Sequence, residues 1–299
     1  MKKERGNMKM FKISKKSLAL LLMVCLVTLS VFTCAQGALA KDKNQLTIAT
    51  TTSVNDTGLL GKLVPIFEKR YKAKVNVISV GTGQALELAK RGDADLVLVH
   101  SKKQEEQFIN EGYGNKRVIL MCNYFVIVGP KNNPAGLDKW KSVKDNFEKI
   151  ALNKANFISR GDNSGTHTKE LSLWKEAGIE PKGKWYLQSG TGQSASLLLA
   201  NEKKAYMLTD KASYLALEAK DKLPNLTIIV DGGKSLLNVY SAIAVSPEKN
   251  PKTNYALAQK FISFMNDVDT QKIIKDFGKA EYGKPLFTPK MLMTKDQFQ

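Results

Sequence analysis

The chain has 299 residues, with 46 Lys and Arg against 28 Asp and Glu, a formal net charge of +18. The excess is dispersed: beyond residue 40 like charges come in pairs, such as Lys102-Lys103 and Lys203-Lys204. Nucleic-acid-binding arms carry blocks of about five or more, so DNA and RNA are excluded as partners, and the positive surface favours small anions instead.

The first forty residues read as an export signal. Lys2, Lys3, Arg5, Lys9, Lys12, Lys15 and Lys16 precede an apolar run from Leu18 to Val31, and Ala38-Leu39-Ala40 offers small residues for cleavage after Ala40. The run is too short for a transmembrane helix of roughly 20 residues. Cys34 follows the apolar run and presents an alternative, lipid attachment. The chain is expected at the periplasmic side or cell surface by either route. Residues 1–40 carry seven Lys or Arg and one Glu, so the remainder has a net charge of 18 − 6 = +12. After cleavage only Cys122 remains, so the fold rests on its core rather than on a disulfide.

Strands and helices alternate from there on. Leu46–Thr50 reads as a strand and Leu59–Tyr71 as a helix with Leu59, Leu63, Ile66 and Phe67 on one face. Val75–Val80 is a strand, Gln84–Arg91 a short helix closed by Gly92, and Leu96–His100 a third strand. This βαβαβ order predicts a parallel sheet flanked by helices. Arg117–Val128 is a longer apolar strand stopped by Gly129-Pro130. The pattern restarts with strand Asn156–Ser159, helix Thr166–Ala177, strand Lys184–Gln188 and helix Ala195–Asn201. Strands Ala205–Thr209, Leu226–Val230 and Asn238–Val245 follow, then helices Tyr255–Asn266 and Thr270–Phe277. Two αβ units bridged by long strands predict two lobes with crossings near Cys122–Val128 and Val239–Val245. Lobe I is placed at residues 41–121 plus 242–299 and lobe II at 122–241.

In open α/β sheets ligands bind beyond the carboxyl ends of the strands. Four loops there are rich in hydroxyls and glycine: Thr50–Ser53, Ser79–Gly83, Ser159–Thr166 and Gln188–Ser194. Helix starts leave up to four N–H groups unpaired and carry about half a positive charge. Glycine lets backbone approach an anion, and Ser and Thr add adaptable donors. One such loop is what ordinary caps and turns use; four converging would form a donor-lined anion cage. Arg160 is the fixed charge among them and suits an oxyanion; a salt bridge to Asp162 is its structural alternative.

Catalytic patterns are absent. His100 and His167 are each explained by a helix cap or a solvent contact. Gly161–Gly165 departs from a protease nucleophile loop, no Gly-x-Ser-x-Gly elbow occurs, and Gly232-Gly233-Lys234-Ser235 lacks the earlier glycine of a P-loop. No metal-ligand spacing is present, and neither an enzyme nor a cofactor is expected.

Nearly all of residues 45–290 resembles the type II periplasmic binding proteins, specifically the tungstate-binding components of Tup-type ABC transporters. The resemblance is carried by Thr50-Thr51-Thr52-Ser53, Gly81–Leu86, Gly92-Asp93-Ala94-Asp95 with Leu96–His100, Glu111–Gly114 and Asn123–Pro130. Ser159–His167, Tyr206–Asp210, Tyr282-Gly283 and Leu286-Phe287 extend it. It implies a two-lobed α/β fold, each lobe a mostly parallel sheet flanked by helices, joined by two crossing strands. It also implies a monomeric importer component that binds tungstate and delivers it to a membrane permease. The residues implied are Thr51, Thr52, Ser53, Thr82, Gly83, Arg160, Ser164, Gly165, Thr166 and Thr191. Thr191 sits where relatives carry a methionine between the glycines, and Lys211 replaces a usual arginine. Molybdate and phosphate are the rival ligands within this fold, and an anion sensor or interaction protein without transport is the rival of another class. The orientation of Asp162 discriminates phosphate, which benefits from a carboxylate acceptor, from the unprotonated oxyanions.

Overall fold

The computed structural model describes residues 43–298; the expected signal peptide, its cleavage point and Cys34 lie outside them. Strands β1 (Gln45–Thr51), β2 (Lys74–Val80) and β3 (Leu96–Val99) lie parallel in the order β2-β1-β3. They are connected through helices α1 (Thr52–Asn55), α2 (Leu59–Tyr71) and α3 (Thr82–Lys90). Helix α2 buries Leu59, Leu60, Leu63 and Phe67, the face its spacing predicts. Helices α4 (Lys102–Asn110) and α5 (Val143–Leu152), the latter opened by a Ser142–Asp145 capping box, were not legible as such, nor were the short Thr52–Asn55 helix and the later helix Lys211–Glu218.

Strand β4 (Val118–Pro130) joins the lobes. Val118–Tyr124 pairs antiparallel with β9 (Leu237–Ala244), while Phe125–Pro130 pairs with β7 (Met207–Asp210) and β8 (Leu226–Asp231). Strand β9 in turn pairs with β3. The sheet is therefore mixed: β1, β2 and β3 are parallel, β9 runs antiparallel to both β3 and β4, and β4 runs antiparallel to β7 and β8. Beyond β7, strand β5 (Phe157–Ser159) pairs in parallel with β6 (Tyr186–Gln188). Helices α6 (Gly165–Glu176), α7 (Gln193–Lys203) and α8 (Lys211–Glu218) flank this part. Helices α9 (Tyr255–Asn266) and α10 (Val268–Asp276) return to the first lobe, where β10 (Thr288–Pro289) adds to β4.

Packing follows this division only in part. One core gathers Ala49, Ala85, Val97, Val99, Phe108 and Ile243 on one face of the first sheet. Another sets Trp174 against Phe147 and Phe157, ring centroids 4.4 and 5.2 Å apart, edge to face. The third runs from Leu46 and Phe67 through Val126 to Leu197 and Met207, so apolar packing is continuous along β4. Among the described residues no helix is long and apolar enough to cross a membrane.

Candidate functional site

The register of the parallel strands sets out the first half of the site. Thr51 lies opposite Val80, and Thr50 opposite both Ser79 and Leu98, so β1, β2 and β3 end level. Thr51, Ser53, Thr82 and His100 emerge there together, all buried. The hydroxyls of Thr51 and Ser53 lie 3.0 Å apart, and the Ser53 hydroxyl lies 3.0 Å from Nε2 of His100. Burial, reinforced by the Arg160 charge, lowers the His100 pKa to about 4, against a smaller opposing effect of Asn238. The imidazole is therefore neutral at neutral pH. It packs 4.9 Å from the Tyr240 ring and 6.1 Å from that of Phe125.

The second half comes from the loop after β5 and the start of α7. Arg160 is 2 % exposed. Its Nε donates to the Thr191 carbonyl at 3.0 Å, Nη1 to Gln193 Oε1 at 2.6 Å, and Nη2 to Asp162 Oδ2. Three of the five N–H bonds of the guanidinium are thus held by its own lobe, which fixes the fork in one orientation. Burial lowers the Arg160 pKa, while Asp162 and then Asp56 act to raise it; the group remains a cation. Asp162 uses its other oxygen to accept from the Ser164 N–H at 3.1 Å, and Ser164 caps α6 by accepting from His167 N–H at 3.2 Å. Thr166 donates to Gln193 Oε1 at 3.1 Å. Gly161 adopts φ +60°, and a Cβ there would lie 2.8 Å from Gln188 Cβ, so this sharp turn requires glycine.

The halves meet directly. Gly165 N–H donates to the Thr82 hydroxyl at 3.2 Å, Gln193 N–H to the Thr52 hydroxyl at 3.2 Å, and Gly83 N–H to the Asn163 carbonyl at 3.3 Å. Ser194 donates to Asp56 at 2.6 Å. A Cβ on Gly165 would stand 2.7 Å from two His100 ring atoms, so this close approach depends on glycine.

Of the sequence-expected residues, Thr51, Thr52, Ser53, Thr82, Gly83, Arg160, Ser164, Gly165 and Thr166 therefore surround one place. The exposed Thr191 contributes its carbonyl to Arg160, and its hydroxyl lies 3.2 Å from that of Ser196. His100 and Gln193 were not singled out by sequence. Gln193 is fully buried and links Arg160, Thr166 and Thr209, donating to Thr209 at 2.5 Å. The signal that could have found them is position: each stands where a strand or a glycine-rich loop delivers the chain to the same rim. Beneath the rim, buried Asp210 accepts from Asn123 at 2.7 Å, Tyr240 at 2.6 Å and Asn238 at 3.0 Å, tying β7 to both crossing strands. Among the described residues no group of three or more His, Cys, Asp or Glu could hold a metal ion.

Two α/β lobes joined by crossing strands, with a neutral and a cationic set of donors facing each other, define a solute-binding protein of type II architecture. Residues 36–268 match the model of the PBP superfamily domain. A tungstate-binding protein of Peptoclostridium acidaminophilum is 40 % identical over 284 residues, 92 % of this chain and 98 % of that protein. One from Campylobacter jejuni is 43 % identical over 79 % of this chain and 87 % of its own. A solved structure described as the tungstate ABC transporter from Geobacter sulfurreducens is 47 % identical, with a TM-score of 0.71 over 79 % of this chain and all of that one. The chain belongs to the PBP superfamily and, within it, to the family of these tungstate-binding proteins. Its relatives are binding proteins rather than enzymes.

Proposed function

We propose that the chain is the extracytoplasmic solute-binding component of an ABC importer, capturing tungstate between its lobes and delivering it to the permease. The observation that carries the ligand class is the disposition of Asp162. One of its oxygens is held by Arg160 and the other by the Ser164 N–H. The carboxylate thus serves its own loop, whereas a site for hydrogen phosphate benefits from one turned to the ligand. The groups assigned to the anion are the hydroxyls of Thr51, Thr52, Ser53, Thr82, Ser164 and Thr166, the backbone at Gly83 and Gly165, and Arg160; the Thr166 hydroxyl and the two glycine N–H groups exchange their present partners for the anion's oxygens. Thr191 contributes through its grip on Arg160. The lobe boundaries, near residues 122 and 241, belong to the same proposal; the change of partners along β4 between Tyr124 and Phe125 supports the first. So do export by the N-terminal signal, with cleavage after Ala40 or lipidation at Cys34, and action as a monomer.

The test is a thermal-shift panel of tungstate, molybdate, phosphate and sulfate on the exported form. At an anion excess of about 100 times Kd, linkage stabilises by about 2.7 kcal/mol. That raises Tm by roughly 5–10 °C for a chain of this size. A shift with tungstate and none with phosphate is expected; the reverse overturns the assignment. Molybdate matches tungstate in charge and closely in size, and equal shifts would widen the ligand class to both.

A further inference from the structure

Two grooves reach the cage residues, and their charges differ. The larger, about 640 Å³, touches Gly83, Asp162 and Asn163 and is lined by two carboxylates, Glu87 and Asp162, and two cations, Lys90 and Arg91. Those cations are engaged: Lys90 lies 2.8 Å from Glu111 and 3.1 Å from Glu87, and Arg91 lies 3.0 Å from Asp93. The smaller, about 350 Å³, touches His100 and Gly165 and is lined by Lys102, Lys103, Arg117, Lys169 and Lys234 against a single carboxylate, Asp296. Arg117 pairs with Glu105, and Lys102 stands 3.8 Å from Glu106. Lys103, Lys169 and Lys234 have no ion pair among the described residues.

Lys169 is the most telling of the three. It lies on α6, four residues after Gly165, and is half-buried. Burial disfavours its ammonium, lowering the pKa, and Glu176 opposes this only in part. A cation kept short of both water and a partner attracts an anion. A cleft lined by one sign of charge concentrates counter-ions and raises association rates about 10- to 1,000-fold.

We propose that the smaller groove is the way in: Lys103, Lys169 and Lys234 gather a small, doubly charged oxyanion at its mouth, and the seam between His100 and Gly165, too close in this structure even for a methyl group, parts to admit it to the cage. This rests on the oxyanion-binding reading above.

The experiment measures tungstate association and dissociation by stopped flow, following tryptophan fluorescence at low and high salt. Three proteins are compared: wild type, a groove triple (Lys103→Gln, Lys169→Gln, Lys234→Gln), and a control triple of equal charge (Lys90→Gln, Arg91→Gln, Lys203→Gln). The groove triple is expected to associate about tenfold more slowly at low salt. Its dissociation rate should be unchanged, and the deficit should shrink at high salt, where screening acts over a few ångströms. The control triple should stay within about twofold of wild type. Equal slowing in both triples, or none in the groove triple while wild type binds, overturns the route. A wild type that binds no oxyanion of the panel overturns the cage reading, and the route with it.

Discussion

The two halves of the cage solve the same problem with different chemistry. The half built on β1, β2 and β3 offers neutral groups: the hydroxyls of Thr51, Ser53 and Thr82, with neutral His100 beside Ser53. They are aligned by the level ends of three parallel strands. The other half carries the cation, Arg160, and aims it through side chains: Gln193, Asp162 and the Thr191 carbonyl. Strand register can place uncharged donors closely, because backbone pairing fixes their spacing. A buried guanidinium requires dedicated acceptors, since leaving it unpaired is costly. Geometry should therefore reside mainly in the neutral half and affinity in the charged half.

The largest effect is expected from Arg160→Ala. Hydrogen bonds to a charged group contribute about 1.5–3 kcal/mol each, so tungstate affinity should fall roughly tenfold to more than a hundredfold. The three bonds to its own lobe add a second consequence. Gln193 Oε1 keeps only Thr166 as donor and Asp162 keeps only the Ser164 N–H, so the melting temperature without anion should fall too. Arg160→Lys keeps the charge without the fork and should restore part of the affinity. Calorimetry and melting of both variants check this. Full-strength binding by Arg160→Ala would place the energy elsewhere and dissolve the contrast between the halves.

Gly165→Ala tests the seam between them. The added methyl meets the His100 ring at 2.7 Å and the Thr82 hydroxyl at 3.1 Å. Overpacking of this kind costs about 1–3 kcal/mol, so affinity should fall by roughly five- to more than a hundredfold. Because the contact forms only where the lobes meet, stability without anion should change less than affinity. Small-angle scattering should show the variant less compact than wild type under saturating tungstate. Unchanged affinity and compactness would mean that the seam yields and the halves need not meet so closely.

Much of this was legible from local pattern. The strand-to-helix loops were found because hydroxyls and glycines follow short β-branched runs, and β4 because its apolar stretch is too long for one lobe. The two-lobed class followed from the same alternation, whereas export was expected from the N-terminal segment alone. What escaped depends on partners distant in the chain. His100 looked like an ordinary strand end; its burial comes from Phe125 and Tyr240 on the two crossing strands. Gln193 looked like a loop amide, and its partners lie at Arg160, Thr166 and Thr209. Helix α4, Lys-Lys-Gln-Glu-Glu-Gln-Phe-Ile-Asn, buries only Glu105 and Phe108 and so shows little apolar periodicity. Glu105 is explained only by Arg117 and Ser241 folding over it.

The smallest effect on binding is expected from Glu170, which lies behind the charged half on α6. It is buried, and its Oε1 accepts from Trp174 Nε1 at 3.0 Å and from the Tyr186 hydroxyl at 2.7 Å. Burial raises its pKa to about 7, against opposing hydrogen bonds led by Tyr186 and Ser159. The unfolded chain has the ordinary value near 4.5, so between the two values the folded chain keeps a proton that the unfolded chain releases. The stability linked to that proton is fully present below about pH 4.5 and is lost as pH rises through about 7. Glu170→Gln keeps an acceptor for both neighbours and removes the titration. The Tm of the variant minus that of wild type should therefore rise from about pH 5 to about pH 8, by an amount worth a few kcal/mol at most. Subtracting wild type at each pH cancels the other titrating groups. Tungstate affinity at pH 6 should be nearly the same in both, since Glu170 meets the cage only through the Arg160 backbone, from which the glutamine oxygen can still accept. Parallel melting curves across this range would mean that Glu170 is ionised throughout. The charged half would then hold a buried carboxylate beside Arg160, and its electrostatics would rest on more than the Arg160–Asp162 pair.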